Sequence, residues 1–271
     1  MKNIPISNRL PELDVALSAA VKAGNAILEI YGGNYQTSTK KDDSPITEAD
    51  LNSNEIIKNI LSKTKHQILS EEDKDDQSRL SQDTIWIVDP LDGTSDFIDK
   101  TGEFTVMIAL VKNKKPFLGV IGWPTEKTIF AAQIGSGAFR YSQDKWERIS
   151  VTKEADLSKC RAVGSRHHLS ETEKKFIKNL GIRNFTSIGS SLKVGKISSG
   201  EAEAYITTTN KMKEWDSAAS YCIINEAGGK MTDMLGNDLS YNNKIVNHQN
   251  GILVTNGIIH NKILEEFEKL N

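Results

Sequence analysis

The chain has 271 residues, with 34 Lys and Arg against 36 Asp and Glu and a formal net charge of −2. Such a length suits one large or two small domains around a buried core. Hydrophobic residues at 38% and charged ones at 26% describe an ordinary globular protein, and the near-neutral balance excludes the basic excess of a nucleic-acid binder.

A first helix is predicted from Pro11 to Tyr31, where Leu13, Ala16, Ala20, Ala23, Ile27 and Ile30 recur at three- and four-residue steps until Gly32-Gly33. A polar stretch, Lys40 to Pro45, follows. Thr47 reads as an N-cap with Asp50 at N3 of a second helix carrying Ile56, Ile57, Ile60 and Leu61. Short apolar runs then read as strands: Gln67 to Ser70, Ile85 to Val88, Phe104 to Val111, Phe117 to Gly122 and Thr128 to Gln133. Without long helices between them, they predict an antiparallel sheet. Gly135-Ser136-Gly137-Ala138-Phe139 lacks the dinucleotide fingerprint and reads as a turn.

Beyond residue 155 strands and helices alternate. Arg161 to Ser165, Ala204 to Thr208 and Gly251 to Thr255 are expected as strands. Helices are expected over Glu171 to Leu180, Ser190 to Ser199 and Asp216 to Ala227, with a closing helix to Leu270. The expected division is an N-terminal α+β half, 1–155, and a C-terminal α/β half, 156–271, sharing a tight interface. Cys160 and Cys222 fit neither a disulfide framework nor a metal motif, which points to a reducing compartment. Neither a signal-like start nor a run of ~18 apolar residues is present, so a cytoplasmic place is expected, with peripheral attachment to the inner membrane face left open.

The chemistry concentrates in Asp89-Pro90-Leu91-Asp92-Gly93-Thr94. An apolar strand delivers Asp89, Pro90 fixes φ, and Gly93 permits a sharp turn, so both carboxylates and the Leu91 carbonyl can face one small volume suited to Mg²⁺. A solvated Asx-turn would use the same residue types. An EF-hand fails on spacing, because the acids fall at positions 1 and 4. A haloacid-dehalogenase nucleophile pair fails too, because the second Asp is three residues on, not two. Glu71 ends another strand, while Asp73 to Asp76 read as a solvated loop. Asp216 after Trp215 reads either as a helix N-cap or as a further metal ligand. Gly189, Ser190, Ser191 and Lys193 open a helix whose free amides and lysine would suit a phosphate. His66, His248 and His260 show no paired spacing and receive no role, and Trp86, Trp123 and Trp215 are read as packing residues.

Ile46-Thr47-Glu48-Ala49-Asp50, Ser70-Glu71-Glu72-Asp73, Asp89 to Thr94 and Trp215-Asp216, in this order over roughly residues 10–260, resemble the lithium-sensitive, magnesium-dependent phosphatases of the inositol monophosphatase superfamily. Within it, Gly102 to Leu110 and Ser187 to Lys193 are most similar to the CysQ-type 3′(2′),5′-bisphosphate nucleotidases. The resemblance implies an α+β fold, the five-layer αβαβα sandwich of the inositol monophosphatase and fructose-1,6-bisphosphatase type. It implies that Glu71, Asp89, the Leu91 carbonyl, Asp92 and Asp216 hold two or three Mg²⁺ ions, with Asp50 assisting through water. Thr94 with Glu71 would orient a nucleophilic water. Gly93, Thr94, Gly189, Ser190, Ser191 and Asp216 would contact substrate, with Lys193 and one of His167 or His168 as further candidates.

The implied reaction is hydrolysis of the 3′-phosphate of adenosine 3′,5′-bisphosphate, clearing a by-product of sulfate assimilation. The partner is then a small phosphorylated molecule and not a nucleic-acid polymer; oligomeric state is open. The alternatives are an inositol-phosphate or sugar-phosphate phosphatase, or a silent scaffold that retains the metal-site fold. Two departures bear on substrate. Inositol monophosphatases place a glutamate where this chain has Thr209, and bisphosphate nucleotidases often carry an arginine in the strand that here reads Ala204 to Thr208. Asn210 to Lys213 is either a replacement source of positive charge or an exposed basic loop.

Overall fold

In the computed structural model, residues 3–40 and 44–270 are described; residues 41–43 of the polar stretch, and residues 1, 2 and 271, lie outside the described residues. Helix α1 (Pro11–Tyr31) starts on a proline and buries Leu13, Ala16, Ala20, Ala23 and Ile27. A two-stranded ribbon, β1 (Thr37–Thr39) with β2 (Pro45–Thr47), leads into α2 (Glu48–Leu61). Its start is a capping box: the Thr47 hydroxyl accepts from Ala49 N at 3.1 Å, and the Asp50 carboxylate accepts from Thr47 N at 2.8 Å.

A seven-stranded sheet follows in chain order: β3 (Gln67–Ser70), β4 (Thr84–Asp92), β5 (Thr105–Lys112), β6 (Lys115–Trp123), β7 (Thr128–Gln133), β8 (Gly137–Ser142) and β9 (Lys145–Ile149). Its residues alternate between two cores, as the pleat requires. Trp86, Val88, Val106 and Ile108 pack with α1 and α2, whereas Ile85, Ile87, Met107 and Ala109 face the opposite way. A short helix, α3 (Thr94–Ile98), leaves β4 after Gly93, whose φ of 94° favours glycine. The sheet departs from expectation in two ways. β3 runs parallel to β4, and the segment read as a turn contributes the start of β8. Only the bond from Ser136 N to Gln133 O, 2.9 Å, closes a turn there.

The second half of the chain runs β10 (Arg161–Ser165), α4 (Glu171–Asn179), β11 (Asn184–Ile188), α5 (Leu192–Ser198), β12 (Ala204–Thr207), α6 (Ala218–Glu226), β13 (Lys230–Thr232), β14 (Ile252–Thr255) and α7 (His260–Glu268). The five strands order as β11-β10-β12-β14-β13, with β10 parallel to both of its neighbours. Helices α5 and α6 lie between the two sheets, and α4 and α7 cover the outer face through Phe176, Ile177 and Ile263. The layers are therefore αβαβα. Helix α6 approaches β6 so closely that a Cβ on Gly119 would stand 2.5 Å from the Ala219 carbonyl oxygen. No helix of the described residues is long and apolar enough to cross a membrane.

Candidate active site

The parallel pairing of β3 and β4 brings both carboxyl ends to one sheet edge. Glu71 N donates to the Val88 carbonyl at 3.2 Å, so Glu71 emerges beside Asp89. Pairing of β4 with β5 shifts register between Asp89 and Asp92, which turns the Asp89 to Asp92 segment out of the regular ladder. Asp216 reaches the same place from the turn before α6, its carboxylate accepting from Lys213 N at 2.7 Å. The N-cap reading of Asp216 is corrected: α6 begins at Ala218 after Ser217, without a side-chain cap. One oxygen each of Glu71, Asp89 and Asp216 lie within 4.8 Å of one another, the one such cluster among the described residues.

Neighbouring groups complete the site. Asp92 accepts from the Ser191 amide and from Thr105 Oγ1 at 3.2 Å. Thr94 Oγ1 donates to Asp50 Oδ1 at 2.9 Å and lies 3.4 Å from the Leu91 carbonyl oxygen. Asp50 Oδ2 also accepts from Thr47 Oγ1 at 2.6 Å, so the helix cap and the threonine share one carboxylate.

Electrostatics fit this crowding. Burial, followed by repulsion from Glu71 and Asp92, pushes Asp89 and Asp216 well above the usual carboxylate range. Burial also raises Asp92, against the pull of Lys193 and the Ser191 amide. Burial lifts Glu72 to about 7. Lys40 bridges Glu71 at 2.9 Å and Glu72 at 2.6 Å. Acceptor-only oxygens that repel one another, with Lys40 the single ammonium on Glu71 among the described residues, are the donor set a hard divalent cation takes.

The segment after β11 differs from expectation. Its amides are not free: Gly189 N donates to Glu103 Oε2 at 2.7 Å, and Ser191 N donates to Asp92. Lys193 is buried with its ammonium on the Ser190 carbonyl, not extended toward a ligand. A Cβ on Gly189 would meet Asp96 Oδ2 at 2.5 Å, and one on Gly93 would meet Ser190 Cβ at 3.2 Å, so these glycines let the two loops touch. His167 Nε2 lies 3.5 Å from Asp96 and 3.8 Å from Asp99, whereas His168 enters no ion pair among the described residues. The solvated reading of Asp73 to Asp76 is corrected in part. Asp73 accepts from Asn54 Nδ2 at 3.0 Å and Lys58 at 2.9 Å, and Asp75 pairs with Arg79 at 2.7 Å.

Sequence reasoning missed Lys40, Asp96, Glu103 and Arg166. Arg166 joins Asp96 at 3.1 Å and Glu103 at 2.5 Å, bracing the loops around Gly189. None of these carries a local signal except Arg166, which neighbours the candidate histidines. Ser217 Oγ and His248 Nε2 meet at 2.6 Å, but Ser217 is buried beneath Tyr241 and offers no reachable nucleophile.

Fold and site together define the class: the chain belongs to the inositol monophosphatase family, whose sequence model matches residues 9–271. Within that family it is similar to the 3′(2′),5′-bisphosphate nucleotidase CysQ of Escherichia coli K12, at 35% identity over 238 residues, 84% of this chain and 93% of that protein. Among solved structures, CysQ from Bacteroides thetaiotaomicron matches with TM-score 0.79 and 34% identity, covering 91% of this chain and 97% of its own. An IMPase from Thermotoga maritima matches with TM-score 0.82 and 26% identity, covering 96% and 98%.

Proposed function

We propose that the chain is a Mg²⁺-dependent phosphomonoesterase that removes the 3′-phosphate of adenosine 3′,5′-bisphosphate, giving AMP and phosphate with water as the direct nucleophile. The observation that carries this reading is the convergence of Glu71, Asp89 and Asp216 oxygens within 4.8 Å, beside the Thr94–Asp50 hydrogen bond. The relatives named as bisphosphate nucleotidases supply the substrate class. A cytoplasmic place agrees with that reading; attachment to the membrane face has no support among the described residues.

Glu71, Asp89, the Leu91 carbonyl, Asp92 and Asp216 would hold two or three Mg²⁺ ions. Bound Mg²⁺ neutralises phosphate oxygens and acidifies water, the contribution a slowly hydrolysing phosphomonoester needs most. The chain's own residues do the rest. Thr94 Oγ1 spends its hydrogen on Asp50, so its lone pairs are open to a hydrogen from the attacking water. Glu71 offers that water a second acceptor. Burial raises Asp50 above an ordinary carboxylate, which makes it the better proton acceptor behind Thr94. As the new O–P bond forms, the P–O3′ bond breaks, and the departing 3′-oxygen takes a proton from solvent.

Phosphate release in Mg²⁺ from adenosine 3′,5′-bisphosphate, inositol 1-phosphate and fructose 1,6-bisphosphate tests the reading. The bisphosphate nucleotide is expected to turn over fastest, and in ¹⁸O-water a single turnover places label in phosphate. Faster release from either alternative reassigns the substrate. Turnover of none makes the chain a scaffold, and label on the protein replaces direct attack with a phosphoenzyme.

A further inference from the structure

A doubly phosphorylated nucleoside brings a second anion, and the ions of the carboxylate cage are engaged by the phosphate that is hydrolysed, so a cation outside that cage must meet the other. The carboxyl ends of the parallel strands β10, β11 and β12 share one edge of the second sheet. The loops leaving that edge carry Arg166 to His168, Gly189 to Ser191, and Thr208 to Lys213.

The last of these loops is fixed on both flanks. Thr208 N donates to Glu173 Oε1 at 2.7 Å, tying it to the first turn of α4. Asn247 Nδ2 donates to the Asn210 carbonyl at 3.1 Å, and Gly251 N donates to Asn210 Oδ1 at 3.4 Å. Lys213 N then donates to the Asp216 carboxylate at 2.7 Å. Lys211 stands two residues before that contact, so its Cα lies within about 7 Å of the Lys213 Cα.

Most other cations of this edge are occupied. Arg166 is paired with Asp96 and Glu103, and His167 faces Asp96 and Asp99. Lys193 is buried against the Ser190 carbonyl, and Lys213 lies over the Trp215 ring, 5.3 Å from its centroid. Lys211 is exposed and enters no ion pair among the described residues. His168 lies within its field: partial burial, then Lys211, His167 and Lys193, hold the imidazole below the usual histidine range.

We propose that Lys211 is the specificity-determining cation that receives the phosphate group that is not hydrolysed. The assignment rests on the bisphosphate-nucleotidase reading. It makes the loop after β12 the discriminator between doubly and singly phosphorylated nucleosides, while the carboxylate cage serves both.

The test measures kcat/KM for adenosine 3′,5′-bisphosphate and for adenosine 3′-monophosphate, in Mg²⁺, with the full chain. Wild type is expected to prefer the bisphosphate. Lys211→Gln loses about tenfold more on the bisphosphate than on the monophosphate, chiefly through KM, and Lys211→Arg restores the preference. Added salt erodes the preference in wild type and not in Lys211→Gln. Lys22→Gln, a distant exposed lysine on α1, controls for net charge and leaves the ratio of the two substrates unchanged. A Lys211→Gln ratio equal to wild type overturns the assignment while the nucleotidase reading stands. A wild type active on both nucleotides without preference for the bisphosphate overturns it in the same way. Wild type inert on both nucleotides overturns the reading and the assignment together.

Discussion

Replacing Thr94 with alanine removes the hydroxyl that links the attacking water to Asp50. A positioned proton acceptor contributes about 10²- to 10⁴-fold to rate, so a thousandfold loss of kcat, about 4 kcal/mol of barrier, is the expected size. Binding should change little, since Thr94 has no hydrogen bond to Glu71, Asp89 or Asp216 among the described residues and meets the Leu91 carbonyl only at 3.4 Å. Stability should change little as well. Asp50 keeps its bonds from Thr47 N at 2.8 Å and Thr47 Oγ1 at 2.6 Å, and loses only the Thr94 donor at a half-buried position that water can refill. The cost is about 1 kcal/mol, a melting shift of roughly 2–4 °C. Steady-state phosphate release at saturating Mg²⁺, with thermal melts of the same samples, reads both quantities. Thr94→Ser keeps the hydroxyl and recovers most of the rate. An alanine variant that retains more than about a third of wild-type kcat, or a serine variant as slow as alanine, refutes the reasoning.

Two further predictions concern charge. Asp89→Asn removes a buried acid crowded by Glu71, Asp92 and Asp216, so turnover is lost, yet in chelator the variant melts no lower than wild type. Mg²⁺ at a hundred times its dissociation constant stabilises wild type by about 2.7 kcal/mol and should not stabilise the variant; an equal Mg²⁺ shift in both would exclude Asp89 as a ligand. His260 is fully buried between the Thr232 and Thr255 hydroxyls, each at 2.9 Å, and burial, then Lys230, lowers it to about 4. The unfolded imidazole binds its proton first, so the stability from the neutral ring is complete above pH ~6.5 and drains away as pH falls toward 4, about 3 kcal/mol in all. Urea midpoints between pH 7 and 4 should fall less steeply in His260→Gln; parallel slopes would show that His260 is not the titrating group.

Local signals marked the helices well. The proline start and glycine stop of α1, and the Thr47–Asp50 box of α2, are written in adjacent residues. The hairpin of β8 and β9 was hidden because its tight turn uses Gln143 and Asp144, both at positive φ, in place of the usual Asn-Gly. Edge strand β11 and the three-residue β13 are too exposed or too short to show alternation. The parallel pairing of β3 with β4 depends on a crossover whose helical part is one short 3-10 turn, Ser78–Ser81, too brief for any periodicity to announce.

The site divides in the same way. Carboxylates at strand ends, Asp89 and Glu71, were legible because an apolar run stops at each. Lys40 on Glu71, and Arg166 on Asp96 and Glu103, are bonds across 31, 70 and 63 residues, invisible to any window along the chain. The amides of Gly189 and Ser191 looked free because their acceptors, Glu103 before β5 and Asp92 at the end of β4, belong to the other sheet.

Crystals grown in Mn²⁺, with data collected at the manganese edge, would locate any bound divalent ion directly. Anomalous density is expected between Glu71, Asp89 and Asp216, at oxygen distances of about 2.0–2.2 Å. Saturated crystals with no peak at that spot, or with manganese bound only elsewhere, would contradict a carboxylate cage for the catalytic metal.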